Sequence, residues 1–267
     1  MSGPVFARAA TVYNISAGRP FLDALALGIL DRYGADPQML AGVQVMLPTR
    51  RACRALSDAF LRVTHGEPVL LPVMTPIGDI EEDELGFLAA EEPAVAEALH
   101  LPPAIPPLRR QTLLSRLIMA GDENVSPAHA ALLARELARF LDEAQTERLD
   151  FADLNRIVPD RYAGHWQETL EFLKIVTENW PAILLEQGCI DPAERRNRLI
   201  ASQIALWRES NPETPIIAAG STGSIPATAD LLCCVATLPQ GAVVLPGLDR
   251  SLDNQSRDAL SPSHPQF

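Results

Sequence analysis

The chain has 267 residues, of which 47% are hydrophobic and 21% are charged. That length suits one large or two ordinary domains, and the hydrophobic share is enough for a buried core, which excludes a disordered tail. The formal net charge of -12 disfavours a protein that binds nucleic acid by itself, because such affinity comes largely from neutralising phosphates. A local basic groove or a basic partner subunit is still compatible with this charge.

Cysteine usage and hydropathy predict a cytoplasmic protein. The amino-terminal residues lack the apolar core of a secretory signal, and no apolar run is long enough to span a membrane. The four cysteines, Cys53, Cys189, Cys233 and Cys234, form no CxxC pair. Adjacent helical side chains diverge by about 100°, so Cys233 and Cys234 are poor joint ligands. We interpret the set as reduced thiols that pack as small apolar groups.

Residues 1–65 predict the first part of an α/β domain. A β-type run from Thr11 to Ile15 precedes helical spacing from Phe21 to Tyr33. The second predicted strand covers Val43 to Leu47, and Thr49 is placed to cap the next helix. The apolar positions of that helix share one face. They are Ala52, Leu56, Ala59, Phe60 and Val63.

A proline-rich connection is predicted at residues 66–108. It contains an acidic run at 81–84, which we interpret as a solvated face because no histidine stands at ligand spacing nearby. One short helix is expected at 91–99.

A helical insertion subdomain is predicted at residues 109–210. Ser126 precedes a proline at the first helical position, and Asp191 and Glu194 have capping-box spacing. Apolar side chains repeat at helical spacing, which is typical of the core of a helical bundle. These stripes are Leu133, Leu137, Phe140, Leu141 and Ala144; Trp166, Leu170, Leu173, Val176, Trp180 and Leu184; and Leu199, Gln203, Ile204 and Trp207.

The α/β pattern returns at residues 211–249. An apolar run from Ile216 to Ala219 opens into a small polar loop, and a second apolar run covers Ala242 to Leu245. Strand, loop, helix and strand are the repeating unit of a parallel sheet, whose chemistry lies at the carboxyl ends of the strands. Residues 250–267 are polar and aperiodic, and they are predicted to be a linker at a truncated end.

The first strand end is a candidate nucleotide loop. It offers Ser16, Ala17, Gly18 and Arg19, where a phosphate-binding loop requires the pattern GxxxxGK[ST]. The lysine is absent, only one glycine is present, and Pro20 removes a backbone donor. We therefore expect no ATP hydrolysis at this loop.

The second strand end is a candidate DNA contact. Pro48, Thr49, Arg50 and Arg51 form a strand-to-helix corner, with Arg54 one turn further on. A threonine and several arginines at such a corner suit contact with a nucleic-acid backbone. The alternative is a capped helix whose arginines lie in solvent.

The third strand end carries Gly220, Ser221, Thr222 and Gly223. A nucleotide hydrolase would need an acidic pair here to hold magnesium and orient water. The hydroxyls can bond a phosphate or cap the following helix, and we interpret them as caps. Ser221 does not lie in GxSxG, and the histidines show no ligand spacing, so neither a hydrolase triad nor a metal site is predicted.

Four segments resemble the alphaproteobacterial family of double-strand break repair protein AddB, a subunit of the AddAB helicase–nuclease. They are VYNISAGRPFLDALALGIL, VQVMLPTRRACRALSDAFL, AGSTGSIPATADLL and LPQGAVVLPGLD. The resemblance implies a degenerate P-loop, superfamily 1 helicase-like α/β domain. Residues 11–22 match its nucleotide-loop position, residues 43–62 its DNA-contacting segment and residues 216–231 the strand of its acidic motif.

The resemblance also implies partners and cofactors. It suggests a non-hydrolysing scaffold that works with an AddA-type motor subunit in double-strand break repair and recombination, and that binds DNA weakly when alone. Members of the family are longer and carry an iron–sulfur cluster and magnesium chemistry in a later nuclease region. We therefore expect no cofactor, no metal and no catalytic residue in this chain, and no membrane association.

Two other functions are compatible with the residues. One is a small-molecule α/β enzyme that holds a phosphorylated ligand at the loop beginning at Gly220, with Asp230 or Asp249 as the nearest acid or base. The other is a protein-interaction module without DNA contact.

Overall fold

A computed structural model describes residues 10–77, 101–121, 124–149, 175–249 and 252–260. The chain divides into two compact units. Unit 1 contains residues 1–99 and 199–267, and unit 2 contains residues 100–198. The predicted helix at 91–99, the acidic run at 81–84, Trp166, Leu170, Leu173 and the side chain of Val176 fall outside the described residues.

Unit 1 is built on a parallel sheet. Its strands are β1 (Val12–Ile15), β2 (Gln44–Leu47), β3 (Val73–Pro76), β4 (Ile216–Ala219) and β5 (Gly241–Pro246). They lie in the order β1-β5-β4-β2-β3, and each neighbouring pair is parallel. All carboxyl ends therefore meet at one edge of the sheet, and the predicted α/β class with a parallel sheet is confirmed.

The described residues form nine α-helices. They are α1 (Phe21–Tyr33), α2 (Pro37–Gly42), α3 (Arg50–Val63), α4 (Pro107–Gly121), α5 (Pro127–Thr146), α6 (Trp180–Glu186), α7 (Pro192–Ser210), α8 (Pro226–Thr237) and α9 (Asn254–Asp258). A π-helical turn at Ile175–Asn179 precedes α6. The division between the two units falls within α7.

Helices cover both faces of the sheet, as expected for buried parallel strands. Val45 and Ile217 point into a core shared with α1, α2 and α3. Met46 and Ala218, their neighbours along the same strands, point into a second core shared with α8 and the last turns of α7. The alternation of side chains along each strand thus separates the two cores.

Local signals in the sequence place several element ends correctly. Helix α1 begins and ends at the predicted residues, with Gly34 at its carboxyl cap. The Thr49 hydroxyl accepts a hydrogen bond from the backbone N–H of Ala52 at 3.1 Å, which caps α3. Ser126 accepts one from the N–H of His129 at 3.3 Å, which caps α5.

Three elements in the described part of unit 1 were not predicted. Strand β3 lies within the proline-rich stretch, and Pro76 is tolerated because β3 is an edge strand of the described sheet. Helix α2 has only six residues, too few to show an apolar period. Helix α9 lies in the stretch predicted as a linker, where the side chain of Asp253 accepts a hydrogen bond from the N–H of Ser256 at 2.7 Å.

The described part of unit 2 has a helical core, and the stripe predicted on α5 is partly wrong. Leu133 and Phe140 are each 39% exposed, whereas Leu137 and Leu141 are buried with Ala130 and Ala134 at the same helical spacing. Alanines form part of the buried face of α5. A prediction based on the largest apolar residues therefore places the centre of that face wrongly.

Candidate functional site

The three predicted strand ends lie at the carboxyl edge of the unit 1 sheet. Neighbouring strands β2 and β4 lead to opposite faces, because the chain continues from β2 into α3 and from β4 into α8. This is a topological switch point, the place where open α/β sheets bind ligands. The predicted DNA-contact corner and the predicted acidic-motif loop flank it.

Gly220 is the meeting point of three loops. A β-carbon built on Gly220 would lie 3.3 Å from Phe21 Cε1 and 3.5 Å from Pro48 Cδ. The loops after β1, β2 and β4 are therefore brought together, and the side chain at their centre is apolar. Gly220 has φ +78°, a left-handed conformation that other residues adopt only with strain.

Hydrogen bonds also join the end of β1 to the segment that follows β5. The Asn14 side chain donates to the carbonyl of Leu248 at 3.1 Å and accepts from its N–H at 2.8 Å. The N–H of Gly247 also donates to the carbonyl of Ile15 at 2.8 Å, and a β-carbon on Gly247 would lie 3.4 Å from Ala17 Cβ. The segment after β5 thus lies against the loop in the nucleotide-loop position.

The degenerate nucleotide loop is a short exposed turn. The N–H of Arg19 donates to the carbonyl of Ser16 at 3.0 Å, and all residues from Ser16 to Pro20 are exposed. Helix α1 follows without a side-chain cap at Pro20. Among Ser16, Ala17, Gly18 and Arg19, the only charged group is a guanidinium, which can contact an anion but supplies no base.

All five residues of the predicted DNA-contact corner are exposed to solvent. Pro48, Thr49, Arg50, Arg51 and Arg54 are all exposed, and the first turn of α3 contains no acidic residue. Cations at a helix amino terminus repel the positive end of the helix dipole. An anion bound at this corner would relieve that repulsion.

The loop after β4 folds back on its own helix. The N–H of Gly223 donates to Ser221 Oγ at 3.3 Å, and a β-carbon on Gly223 would lie 3.3 Å from Leu232 Cδ1. Ile225 is the amino-terminal cap residue of α8, and no side chain caps that helix. Our interpretation of the loop hydroxyls as helix caps is therefore wrong. Thr222 is exposed.

Unit 2 contains a buried ion pair that the sequence did not indicate. Arg110 Nε lies 2.8 Å from Asp191 Oδ1, and the two side chains are 6% and 1% exposed. The contact is electrostatic, since its alignment is not that of a hydrogen bond. Asp191 Oδ2 accepts from Trp180 Nε1 and from Gln145 Nε2, each at 2.9 Å.

This network overturns the capping-box prediction. The Asp191 carboxylate contacts side chains of α4, α5 and α6 and does not cap its own helix. The Glu194 carboxylate accepts a hydrogen bond from Arg198 Nε at 2.7 Å. Asp191, Gln145 and Trp180 also line a cavity of about 770 Å³ in unit 2. Because Arg110 already neutralises Asp191, this cavity holds no free buried carboxylate from that residue.

The acids proposed for a small-molecule enzyme are poorly placed for catalysis. Asp230 and Asp249 are both exposed, so neither carboxylate is enclosed in a substrate pocket. A cavity of about 560 Å³ in unit 1 lies between α1 and the strands β1 and β5. Its lining is mainly apolar, with Asp31 and Arg32 among its residues, and it does not include the loop that begins at Gly220.

The four cysteines all lie in the described part of the chain. All four are free, and the described residues contain no group of three or more His, Cys, Asp or Glu side chains arranged to hold a metal ion. Cys234 is buried and Cys233 is exposed, so the predicted packing as small apolar groups is wrong for Cys233.

No protein-family model matches the sequence, and no curated protein matches it at a significant level. Among the helices that the structure describes, none is both long and apolar enough to cross a membrane.

Proposed function

We propose that this chain is a non-hydrolysing, helicase-like scaffold module that contacts the backbone of single-stranded DNA during DNA end processing. It would do so in a complex with a motor subunit of the AddA type. The observation that carries the proposal is the exposed arginine corner at the start of α3, beside two strand ends that lack acid and base groups.

The lack of hydrolysis follows from the residues at the first and third strand ends. Phosphoryl transfer needs cations that clamp the phosphates and a group that orients the attacking water. The loops at 16–19 and 220–223 offer one arginine, small side chains and hydroxyls. Neither loop supplies a lysine or a carboxylate for those roles.

DNA contact follows from charge and position. Arg50, Arg51 and Arg54 add three positive charges to the positive end of α3. DNA phosphates satisfy both the guanidinium groups and the helix end, since guanidinium and phosphate geometries match. We expect the corner to contact phosphates and not bases, so the contact should be independent of the DNA sequence.

A partner follows from the overall charge. With a net charge of -12, the isolated chain is expected to bind DNA weakly, because the remainder of its surface repels phosphates. A motor subunit would supply most of the phosphate contacts and the chemical energy. The resemblance to AddB supports an AddA-type subunit in that role.

The test is an equilibrium titration of the purified chain with a labelled single-stranded oligonucleotide between about 50 and 200 mM salt. We expect weak binding, and the logarithm of the association constant should fall linearly with the logarithm of the salt concentration. In the double variant Arg51→Ala/Arg54→Ala, the magnitude of that slope should decrease by about 0.7 for each arginine removed. Arg257→Ala, which removes an exposed charge on α9, is the matched control.

Two results would contradict the proposal. An unchanged slope in the double variant would favour a protein-interaction module without DNA contact. Nanomolar affinity of the isolated chain at physiological salt would contradict a scaffold that needs a partner to hold DNA.

A further inference from the structure

Phe21 occupies the centre of the switch point. It is the first residue of α1, it is half-buried, and it packs against the core shared by α1 and α3. Its Cε1 and Cζ atoms would lie 3.3 Å and 3.7 Å from a β-carbon on Gly220. The ring therefore touches the loop after β4, in a crevice where an α/β sheet would ordinarily hold a ligand.

The same glycine also touches the DNA-contact corner. Pro48 Cδ would lie 3.5 Å from the Gly220 β-carbon, and Pro48 directly precedes the capping residue Thr49. The N–H of Gly220 donates to the carbonyl of Val244 at 3.0 Å, which fixes the glycine to β5. Phe21, Gly220 and Pro48 thus form one contact group, which we call the wedge contact.

We propose that Phe21 is a resident wedge that couples the loop after β4 to the α3 corner. It holds the corner in its DNA-contacting position without any bound nucleotide. In a motor protein the crevice opens and closes with nucleotide, so the loops around it move. The ring belongs to the chain, so it does not dissociate as a nucleotide does, and the corner is therefore expected to keep its position throughout the cycle of a motor subunit.

The wedge acts by packing rather than by charge. Protein interiors are close-packed, so removing the ring takes away a packing partner of Gly220, the residue that also meets Pro48 of the loop after β2. Both loops then gain freedom together, and the arginines keep their charge but lose their fixed position. This inference rests on the proposed function for its DNA consequence, whereas the coupling itself is a property of the fold.

The test compares amide hydrogen exchange in the purified chain with that in Phe21→Ala and Phe21→Leu. The diagnostic amides are Gly220, bonded to Val244, and Ala52, bonded to Thr49. Phe21→Ala should raise exchange at both amides by roughly tenfold, since Gly220 loses a packing partner and the contact that it makes with Pro48 loosens with it. Phe21→Leu should raise it by a smaller, roughly threefold factor. It also provides the test if the alanine variant does not fold.

The matched control is Leu25→Ala. Leu25 lies one turn further along α1, is 4% exposed and belongs to the same core. This control distinguishes the loss of the Phe21 ring from a general loss of stability. The proposal would be overturned if amide exchange at Gly220 and Ala52 rose equally in the Leu25 and Phe21 variants. It would also be overturned if exchange rose at Gly220 but not at Ala52, because the two loops would then be independent.

Oligonucleotide titration adds a readout that separates position from charge. Phe21→Leu should weaken binding severalfold with an unchanged salt slope, because all the arginines remain. A reduced slope would mean that lost phosphate contacts, and not the wedge, explain the weaker binding. If the unaltered chain binds no oligonucleotide, the proposed function fails, while hydrogen exchange still decides the coupling.

Discussion

Arg110 and Asp191 form an ion pair inside unit 2, with Arg110 Nε 2.8 Å from Asp191 Oδ1. A buried pair of this kind is costly to break, because the remaining charge is left in a poorly solvated place. Asp142 also contacts the guanidinium, with Arg110 Nη1 2.9 Å from its Oδ1. The pair therefore connects α4 and α5 with the residue that precedes α7.

Removing one partner of this pair should destabilise unit 2 strongly. Asp191→Ala leaves the buried Arg110 guanidinium paired with the part-exposed carboxylate of Asp142 and removes the acceptor of Trp180 Nε1, so we expect a loss of about 3 kcal/mol in the free energy of unfolding. Urea titration followed by tryptophan fluorescence measures it. The control Glu194→Ala removes a partly exposed carboxylate paired with Arg198 and should cost less than about 1 kcal/mol. Similar losses in both variants would contradict a buried ionic network.

Gly220 should not tolerate a side chain. Gly220→Ala must adopt φ near +78° and place a β-carbon 3.3 Å from the Phe21 ring, so we expect a loss of about 1–2 kcal/mol in unfolding free energy. Gly18→Ala is the control, since a β-carbon there meets nothing within 4 Å. Thermal unfolding measures both variants. Equal losses of stability in Gly220→Ala and Gly18→Ala would contradict the described packing of Gly220 against Phe21.

The cap of α3 should depend on a hydroxyl. Thr49→Ala removes the acceptor for the Ala52 N–H and should cost about 1 kcal/mol, whereas Thr49→Ser keeps the acceptor and should cost little. Denaturant midpoints of the two variants measure the difference. Should serine and alanine prove equally destabilising, the threonine acts through its methyl group and not as a cap.

The two adjacent cysteines should differ in reactivity. Burial raises the pKa of the Cys234 thiol, whereas Cys233 is exposed. Alkylation of the folded chain at mildly alkaline pH should modify Cys233 first, because the thiolate is the reactive form. Mass spectrometry of digested samples identifies the order. Modification of Cys234 at the rate of Cys233 would contradict its burial.

The same shift gives a direction to the pH dependence of stability. The folded state holds the Cys234 proton above the pH at which an unfolded thiol, with a pKa of about 8.5, releases it. Stability from this group is therefore full below that pH and falls as the pH rises above it. Cys234→Ala should flatten this alkaline decline, and an identical decline in the variant would assign it to other groups.

Much of unit 1 was predictable because its signals are local. The period of α1, the Thr49 cap and the apolar runs of β2, β4 and β5 each lie within a few residues. The meeting of strand ends at one edge also follows from parallel strands alone. Strand β3 was missed because prolines at its end are permitted only by its edge position, which is a property of the whole sheet.

The contacts that complete the site depend on distant partners. Asn14 bonds to Leu248, which is 234 residues away, and Phe21 reaches Gly220 across the sheet. Asp191 has the spacing of a helix cap, yet its carboxylate pairs with Arg110, because tertiary partners compete with local ones. No periodicity in the sequence carries that information.

ATP turnover by the purified chain, measured with magnesium and single-stranded DNA present, decides whether the loops at 16–19 and 220–223 hydrolyse nucleotide. We expect turnover no faster than in buffer without protein, because these loops supply neither a lysine nor a carboxylate. Turnover that disappears in Arg19→Ala or Thr222→Ala would contradict this expectation.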